Sequence, residues 1–380
     1  MRPFLSSAPA LEAVPFLDLR PSHEPLKAEL VRDFDELIDA GAFVNGSAID
    51  EFEVAFADYC ETSFCVGLSS GLDALRLGLL SSGIEPGDEV IVPASTFVAT
   101  IEAVTQAGGK PVLADISDVD YNIDPGAVEA AIGPRTRFIM PVHLYGQMAD
   151  MTRLSSLAEK HDLVLIEDAC QAHGATRDGV RAGSAGAAAA FSFYPAKNLG
   201  AMGDAGALVT GSEPMRTHVA ALREHGQRSK YDHYASGYTA RLDTIQALVL
   251  LRKLPLLDEW NRQRAEAAAI YSAELADLGD LVIPTVPRDS SPSWHLYVIR
   301  TADPTGLGDF LAEHGVGTGR HYPEPIHLTD AWSTLGYRSG SFPTAERVAS
   351  EVISLPMFPG ITEDQLGSVV TVVGRFFGRG

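Results

Sequence analysis

The sequence predicts an α/β protein: a mostly parallel sheet covered on both faces by helices, followed by a smaller α+β domain. Three observations carry this. Short apolar runs alternate with stretches whose apolar residues recur at helical spacing, from about residue 26 to residue 210. Strands and helices alternating in this way argue for crossover units and hence a parallel sheet. After residue 241 the pattern changes to two long helical stretches, then "WHLYVIR" (294 to 300), a helix near 306 to 314 and "SVVTVVGRFF".

In chain order, residues 26 to 40 ("LKAELVRDFDELIDA") and 48 to 60 predict helices. "FCVGLSSGLDALRLGLLSSG" predicts a strand, a Ser-Ser-Gly turn and a helix from about 71 to 82. "DEVIVPAST" is a strand stopped by Pro93, followed by the helical "FVATIEAVTQAG". "PVLADI" and "RFIMPVHLYG" are strands on either side of a helix near 126 to 132. "MTRLSSLAEKHD" is a helix, "LVLIEDA" a strand, and "AAAFSFY" and "GALVTG" close the series. "RLDTIQALVLLRKL" and, past Pro255, "LLDEWNRQRAEAAAIYSAELADL" read as connecting helices. There is no internal repeat and no low-complexity tail.

The 380 residues are 46% hydrophobic and 21% charged, the make-up of a globular chain of about two domains. With 29 basic and 50 acidic side chains the net charge is −21, which argues against a general nucleic-acid or anionic-membrane binder. Cys60, Cys65 and Cys170 are scattered, as in a reducing compartment, and lack the spacing of a metal site. The first residues carry no sustained apolar core of a signal peptide, and no run reaches membrane-spanning length. A cytoplasmic protein without a metal is expected.

The chain has only six lysines. Lys27, Lys160 and Lys253 take polar positions of predicted helices, and Lys110 lies in a Gly-Gly turn. Lys197 alone follows a buried strand and precedes a flexible glycine stretch, in "FSFYPAKNLGAMGDAG". An ammonium there loses hydration, its pKa falls, and the amine becomes a usable nucleophile. A lysine that merely snorkels out of a loop fits the same position. Upstream, Asp168 ends the apolar strand of "LVLIEDACQAHGA", where open α/β sheets place their ligands. The two could form a plain ion pair. They could equally hold pyridoxal 5'-phosphate (PLP), the amine on its aldehyde and the carboxylate on its ring nitrogen.

"SSGLDAL" opens a helix directly after a strand, so the N–H groups of Gly71 and Leu72 can face an anion. Ser70 with Asp73 also fits an ordinary N-cap. Ser192 is a second phosphate candidate or a strand serine bonded to backbone. Phe97 in "PASTFVAT" can stack on a flat ring or fill core. "GAMGDAG" leads into a strand rather than a helix, which excludes a dinucleotide fingerprint.

These motifs occur in a familiar order. The chain resembles the DegT/DnrJ/EryC1/StrS family of PLP-dependent sugar aminotransferases from about residue 14 almost to its end. The resemblance rests on "SSGLDAL", "GDEVIVPASTFVAT", "PVHLYGQMADM", "EDACQAHGA", "SFYPAKNLGAMGDAGALVTG", "GYTARLDTIQALVL" and "HYPEPIHL". It implies the aspartate aminotransferase architecture of fold type I, with a seven-stranded sheet. A large cofactor domain would span 16–255 and a small domain 256–380, with 1–15 packing nearby. Lys197 would form the Schiff base and shuttle the proton, and Asp168 would bind the pyridine nitrogen. Gln171 would lie beside the phenolic oxygen and Phe97 on the ring, while Gly71, Leu72 and Ser192 would hold the phosphate. Family members that act as dehydratases carry histidine at the lysine position, so transamination is favoured. The family usually reads "GYNSRLD", with the Asn crossing a dimer interface to the partner's cofactor; here Thr239 stands in its place.

The resemblance also implies a homodimer with sites at its interface, and a nucleotide-linked keto sugar as substrate. Arg228, Lys230 and Arg241 are candidates for a pyrophosphate clamp, or belong to a solvated loop. Tyr194, His321, Tyr322 and His327 would border the sugar. The set is most similar to transaminases that take an amino group from L-glutamate and yield dTDP-3-amino sugars. A 4-keto nucleotide sugar, a keto-inositol and a non-catalytic regulator of the same fold are the alternatives.

Overall fold

The structure is a computed structural model and describes residues 13–378. Most of the expected N-terminal segment 1–15 therefore lies outside the described residues. Seven strands form the main sheet: β1 Phe64–Leu68, β2 Glu89–Pro93, β3 Lys110–Ala114, β4 Thr136–Ile139, β5 Val164–Asp168, β6 Ala188–Ser192 and β7 Gly206–Thr210. Their order is β1-β7-β6-β5-β4-β2-β3. β7 runs antiparallel to both its neighbours, and every other pairing is parallel. This is the mostly parallel, seven-stranded sheet the sequence predicts. Lys110 is its one local correction: it opens β3 rather than sitting in the turn, and its Nζ reaches Glu89 Oε1 at 3.2 Å.

The period-two alternation of the strands shows why both faces are covered. Val90 and Val92, Ala188 and Ala190, and Leu208 pack on one side with the Gly71–Ser81 helix. Ile91, Ala189, Phe191 and Val209 pack on the other against Phe52 and Phe56 of the Ser47–Tyr59 helix. The run of alanines in β6 lets helices approach closely on each side.

Beyond the Thr244–Lys253 and Leu257–Leu275 helices, a second sheet pairs β8 Tyr297–Arg300 antiparallel with β9 Val352–Leu355. Helices Pro304–Glu313 and Glu363–Phe376 and the inner face of Leu257–Leu275 give it a hydrophobic cluster of its own, which Val14 joins through a bridge to Val316. "SVVTVVGRFF" is helical, with a capping box from Thr362 and Gln365 fixing its start. No described helix is long and apolar enough to cross a membrane.

Candidate active site

The loop carrying Lys197 begins and ends on one residue. Ala201 N donates to Phe193 O (2.7 Å), and Phe193 N donates to Ala205 O (2.8 Å). The Phe193 ring stands edge-on to Phe52 and Phe56 at 5.3 and 5.1 Å, anchoring the loop just past the C-terminal end of β6. Gly200, in the glycine stretch that follows Lys197, serves close packing. A Cβ on Gly200 would lie 2.3 Å from Pro195 O, and Lys253 Nζ donates to Gly200 O. Lys253 is the second correction: it is 2% exposed, not on a solvent face. Helical spacing shows which residues share a face, but this helix is covered on both. Burial lowers the Lys253 pKa to about 8, and neutral His23 accepts from it at 2.9 Å.

Lys197 is half-buried, and no hydrogen-bond or ion-pair partner holds its Nζ among the described residues. Burial pushes its pKa down, against the pull of Cys170 and Asp168. Asp168, buried at the end of β5, is oriented on both oxygens. Thr100 Oγ1 donates to Oδ2 (2.8 Å) and Cys170 N to Oδ1 (3.2 Å). His173, His295 and His321 feel the Lys197 charge, but burial is the larger cause holding them neutral. It lowers His173 to about 3, His321 to about 4 and His295 well below its ordinary value.

Gly71 begins its helix beside these groups. Ser70 caps it by accepting from Asp73 N (3.1 Å), and the first backbone bond comes only at Ala74 N to Ser70 O (3.1 Å). The N–H groups of Gly71 and Leu72 thus precede the helical ladder. Only glycine fits here: a Cβ on residue 71 would lie 2.6 Å from Cys170 Sγ and 2.8 Å from Ser192 Cβ. Gly206 in β7 is required in turn, since its Cβ would lie 2.3 Å from Ser70 C. Ser192 Oγ accepts from Tyr194 N (3.3 Å) and faces the same cradle.

On the other side, Gln171 is fixed by what its neighbours can do. Tyr145 N can only donate, so the atom 2.7 Å from it is Oε1. Nε2 then donates to Tyr322 Oη at 3.2 Å. The Tyr322 ring lies 5.7 Å from that of Phe97, which is 52% exposed and therefore free to stack. His321 stacks on Phe16 and pairs Nδ1 with Ser354 Oγ (2.8 Å), while Tyr145 Oη donates to His321 O. Tyr194 is 54% exposed.

The remaining candidates stand farther out. Arg228 and Lys230 occupy an exposed hairpin of Gln227–Ser229 and Asp232–His233, Arg228 lying over the Tyr234 ring. Arg241 is paired with Glu224 at 2.7 Å, and Thr239 Oγ1 sits 3.4 Å from His225 Nε2. His327 is buried, its Nε2 2.9 Å from Glu346 Oε1. Thr100, Tyr145, Asn198, Asn261 and His295 join the site beyond the sequence candidates. Thr100, Tyr145 and Asn198 lie inside the quoted motifs, whereas Asn261 and His295 reach the site from distant segments that no spacing links to it.

An unpartnered amine, an oriented carboxylate and a helix start with a glycine cradle stand along one sheet edge. That donor set fits the aldehyde, ring nitrogen and phosphate of PLP. The DegT/DnrJ/EryC1/StrS aminotransferase family matches residues 25–374. The chain belongs to this family. It is 44% identical to the dTDP-3-amino-3,4,6-trideoxy-alpha-D-glucose transaminase of Streptomyces venezuelae, over 99% of each protein. It is 43% identical to the pleiotropic regulatory protein of Geobacillus stearothermophilus, over 96% of this chain and 98% of that one. S. venezuelae DesV, solved in complex with a ketimine intermediate, superposes with a TM-score of 0.95. That match covers 97% of this chain and 99% of the other, at 44% identity. As a family member the protein is an aminotransferase of fold type I, and its cofactor is PLP.

Proposed function

We propose that this aminotransferase converts a dTDP-3-keto-deoxyhexose to the dTDP-3-amino sugar with L-glutamate as donor, in the cytoplasm. The observation that carries the reading is Lys197 Nζ, a half-buried amine with no partner among the described residues, beside the oriented Asp168. The near full-length likeness to a transaminase of such a sugar supports the choice of substrate. Whole-length likeness to a protein named as a regulator also exists. The intact lysine and aspartate favour turnover over regulation alone.

PLP supplies an aldehyde carbon that condenses with amines and a ring that takes up electrons. Lys197 Nζ would hold that carbon, and as a free amine it would take the proton from the donor's α-carbon. A desolvated amine with lowered pKa suits this, and general-base catalysis of the kind is worth on the order of 10²–10⁴-fold. Asp168 would face the ring nitrogen and favour its protonated form. Gln171 Nε2 keeps one proton on Tyr322 Oη and would have the other for the phenolic oxygen, and Phe97 would cover a ring face. Gly71 N, Leu72 N and Ser192 Oγ would take the phosphate, helped by the helix dipole. Tyr194, His321 and Tyr322 border the sugar, and Arg228 and Lys230 steer its pyrophosphate. Arg241 and His327 act there only if their acid partners release them.

A homodimer belongs to the same reading. Phe43, Val44, Met202 and Ile245 are exposed apolar residues on adjoining segments. Thr244 N donates to Phe43 O (3.2 Å) and Met202 N to Gln246 Oε1 (2.8 Å). This patch adjoins the Lys197 loop, so a second copy seated on it would bring the sites to the interface. The division into domains at residue 255 is part of the proposal, supported by the separate cluster around β8 and β9.

The deciding measurement is the absorbance of the PLP-loaded protein before and after L-glutamate. Conversion to the pyridoxamine form, absent in Lys197→Ala, is expected, and turnover of a dTDP-3-keto sugar should follow. A cofactor band indifferent to glutamate would overturn the choice of donor.

A further inference from the structure

Asn198, the residue after Lys197, is buried and spends its whole side chain on three partners. Its Nδ2 donates to Ser293 O (2.6 Å) and to Asn261 Oδ1 (2.8 Å). Its Oδ1 lies 3.2 Å from His295 Nδ1. The direction of every bond is forced. Ser293 O is a carbonyl and can only accept, so the atom facing it is nitrogen. Oδ1 therefore faces His295, which must donate from Nδ1, and this fixes the tautomer of a ring that burial keeps neutral. Asn261 obeys the same logic: its Nδ2 donates to His173 O at 2.8 Å, leaving Oδ1 to accept from Asn198.

Through Asn261 of the Leu257–Leu275 helix, the relay joins three further chain segments that sequence keeps apart. One is the Lys197 loop. Another is the stretch after Asp168, reached at His173 through Asn261 and at Gln171, whose carbonyl accepts from Ser293 Oγ at 3.3 Å. The third is the start of the second sheet, reached at Ser293 and His295. Arg264, on the same helix as Asn261, clamps that start by donating Nη1 to the carbonyls of Trp294 (3.2 Å) and His295 (3.3 Å). Two amides, Asn198 and Asn261, thus tie the lysine loop to the Asp168 segment, in a setting where buried polar bonds are individually costly to break.

We propose that Asn198 is a positioning residue for Lys197, held in its working orientation by Asn261 and His295. The proposal rests on the reading of Lys197 as the amine that holds PLP. Around Lys197 the titratable groups are Asp168, Cys170, His173, His295 and His321. None is replaced in Asn198→Ala, and only His295 loses a bond there, which the His295 variants control for.

The test compares holoenzyme of wild type, Asn198→Ala, His295→Phe and His295→Asn. The last keeps a neutral donor near the Nδ1 position. Three quantities are read: the pH midpoint of the bound cofactor's absorbance, kcat against KM, and thermal midpoint. Positioning predicts that Asn198→Ala and His295→Phe admit water and raise the absorbance midpoint. Both should lower kcat by up to about 100-fold, the scale of a small misplacement at a reacting group, with little change in KM for the donor. His295→Asn should restore both. A lower thermal midpoint with unchanged absorbance midpoint and kcat would mean an ordinary packing role and overturn the proposal. Wild-type protein that forms no PLP band, or one that Lys197→Ala keeps, would instead overturn the underlying reading of the lysine.

Discussion

Thr100 Oγ1 donates to Asp168 Oδ2 at 2.8 Å, from a helix that begins after β2 to a carboxylate at the end of β5. Since that hydroxyl's proton is spent on Asp168, Thr96 Oγ1 must donate to Thr100 Oγ1, 2.9 Å away. The threonines of "PASTFVAT" therefore form a directed pair aimed at the carboxylate. Thr100→Val keeps the shape and removes the bond. A hydrogen bond to a charged group contributes about 1.5–3 kcal/mol. PLP affinity, measured by absorbance titration of the apoprotein, is expected to fall about tenfold or more, with little change in fold. Unchanged affinity would show that Asp168 needs no orientation from Thr100.

Gly71 offers a steric test. An alanine Cβ would meet Cys170 Sγ at 2.6 Å and Ser192 Cβ at 2.8 Å, so one of these must move. Cys170→Ala relieves the first contact but not the second. Gly71→Ala is expected to weaken PLP binding at least tenfold, and the double variant to recover only part of it. Full recovery would locate the whole clash at the sulfur.

The exposed patch of Phe43, Val44, Met202 and Ile245 predicts an effect on assembly. Phe43→Asp places a charge where a second copy would cover it, and burying an unpaired charge costs several kcal/mol. Sedimentation should show the wild type as a dimer and the variant dissociating as concentration falls, with activity lost in parallel. A variant that stays dimeric would move the interface elsewhere.

Most of the fold was readable because each strand is a short apolar run between helical segments with clear periodicity. The chemistry-bearing pair was readable for a related reason: Asp168 ends one strand and Lys197 lies in the loop after the next, and open α/β sheets place ligands at the carboxyl ends of their strands. What was not readable depends on three-dimensional proximity. Nothing in the spacing of Asn261 or His295 points to Asn198. Nor could spacing show that Lys253 lies under the lysine loop, that Gly200 packs against Pro195, or that Arg241 is taken up by Glu224. Such errors arise where burial on a second face overrides a pattern that reports only one.

Lys253 supplies a prediction in pH. Its pKa is lowered by burial from 10.5 to about 8. Below pH 8 the group is protonated in folded and unfolded chains alike, and its contribution is constant. Between about 8 and 10.5 the unfolded chain binds the extra proton, so stability rises with pH through this window. At neutral pH the folded state carries the full cost of the buried ammonium, about 3 kcal/mol from the size of the shift, offset in part by the bonds to Gly200 O and His23. Lys253→Met removes the titration. Denaturant unfolding of both proteins across pH 7 to 10.5 should show wild type gaining on the variant by up to that amount, mostly above pH 8. Parallel curves would mean that the ammonium is solvated in the folded protein, and that the lysine loop rests on something other than a buried cation.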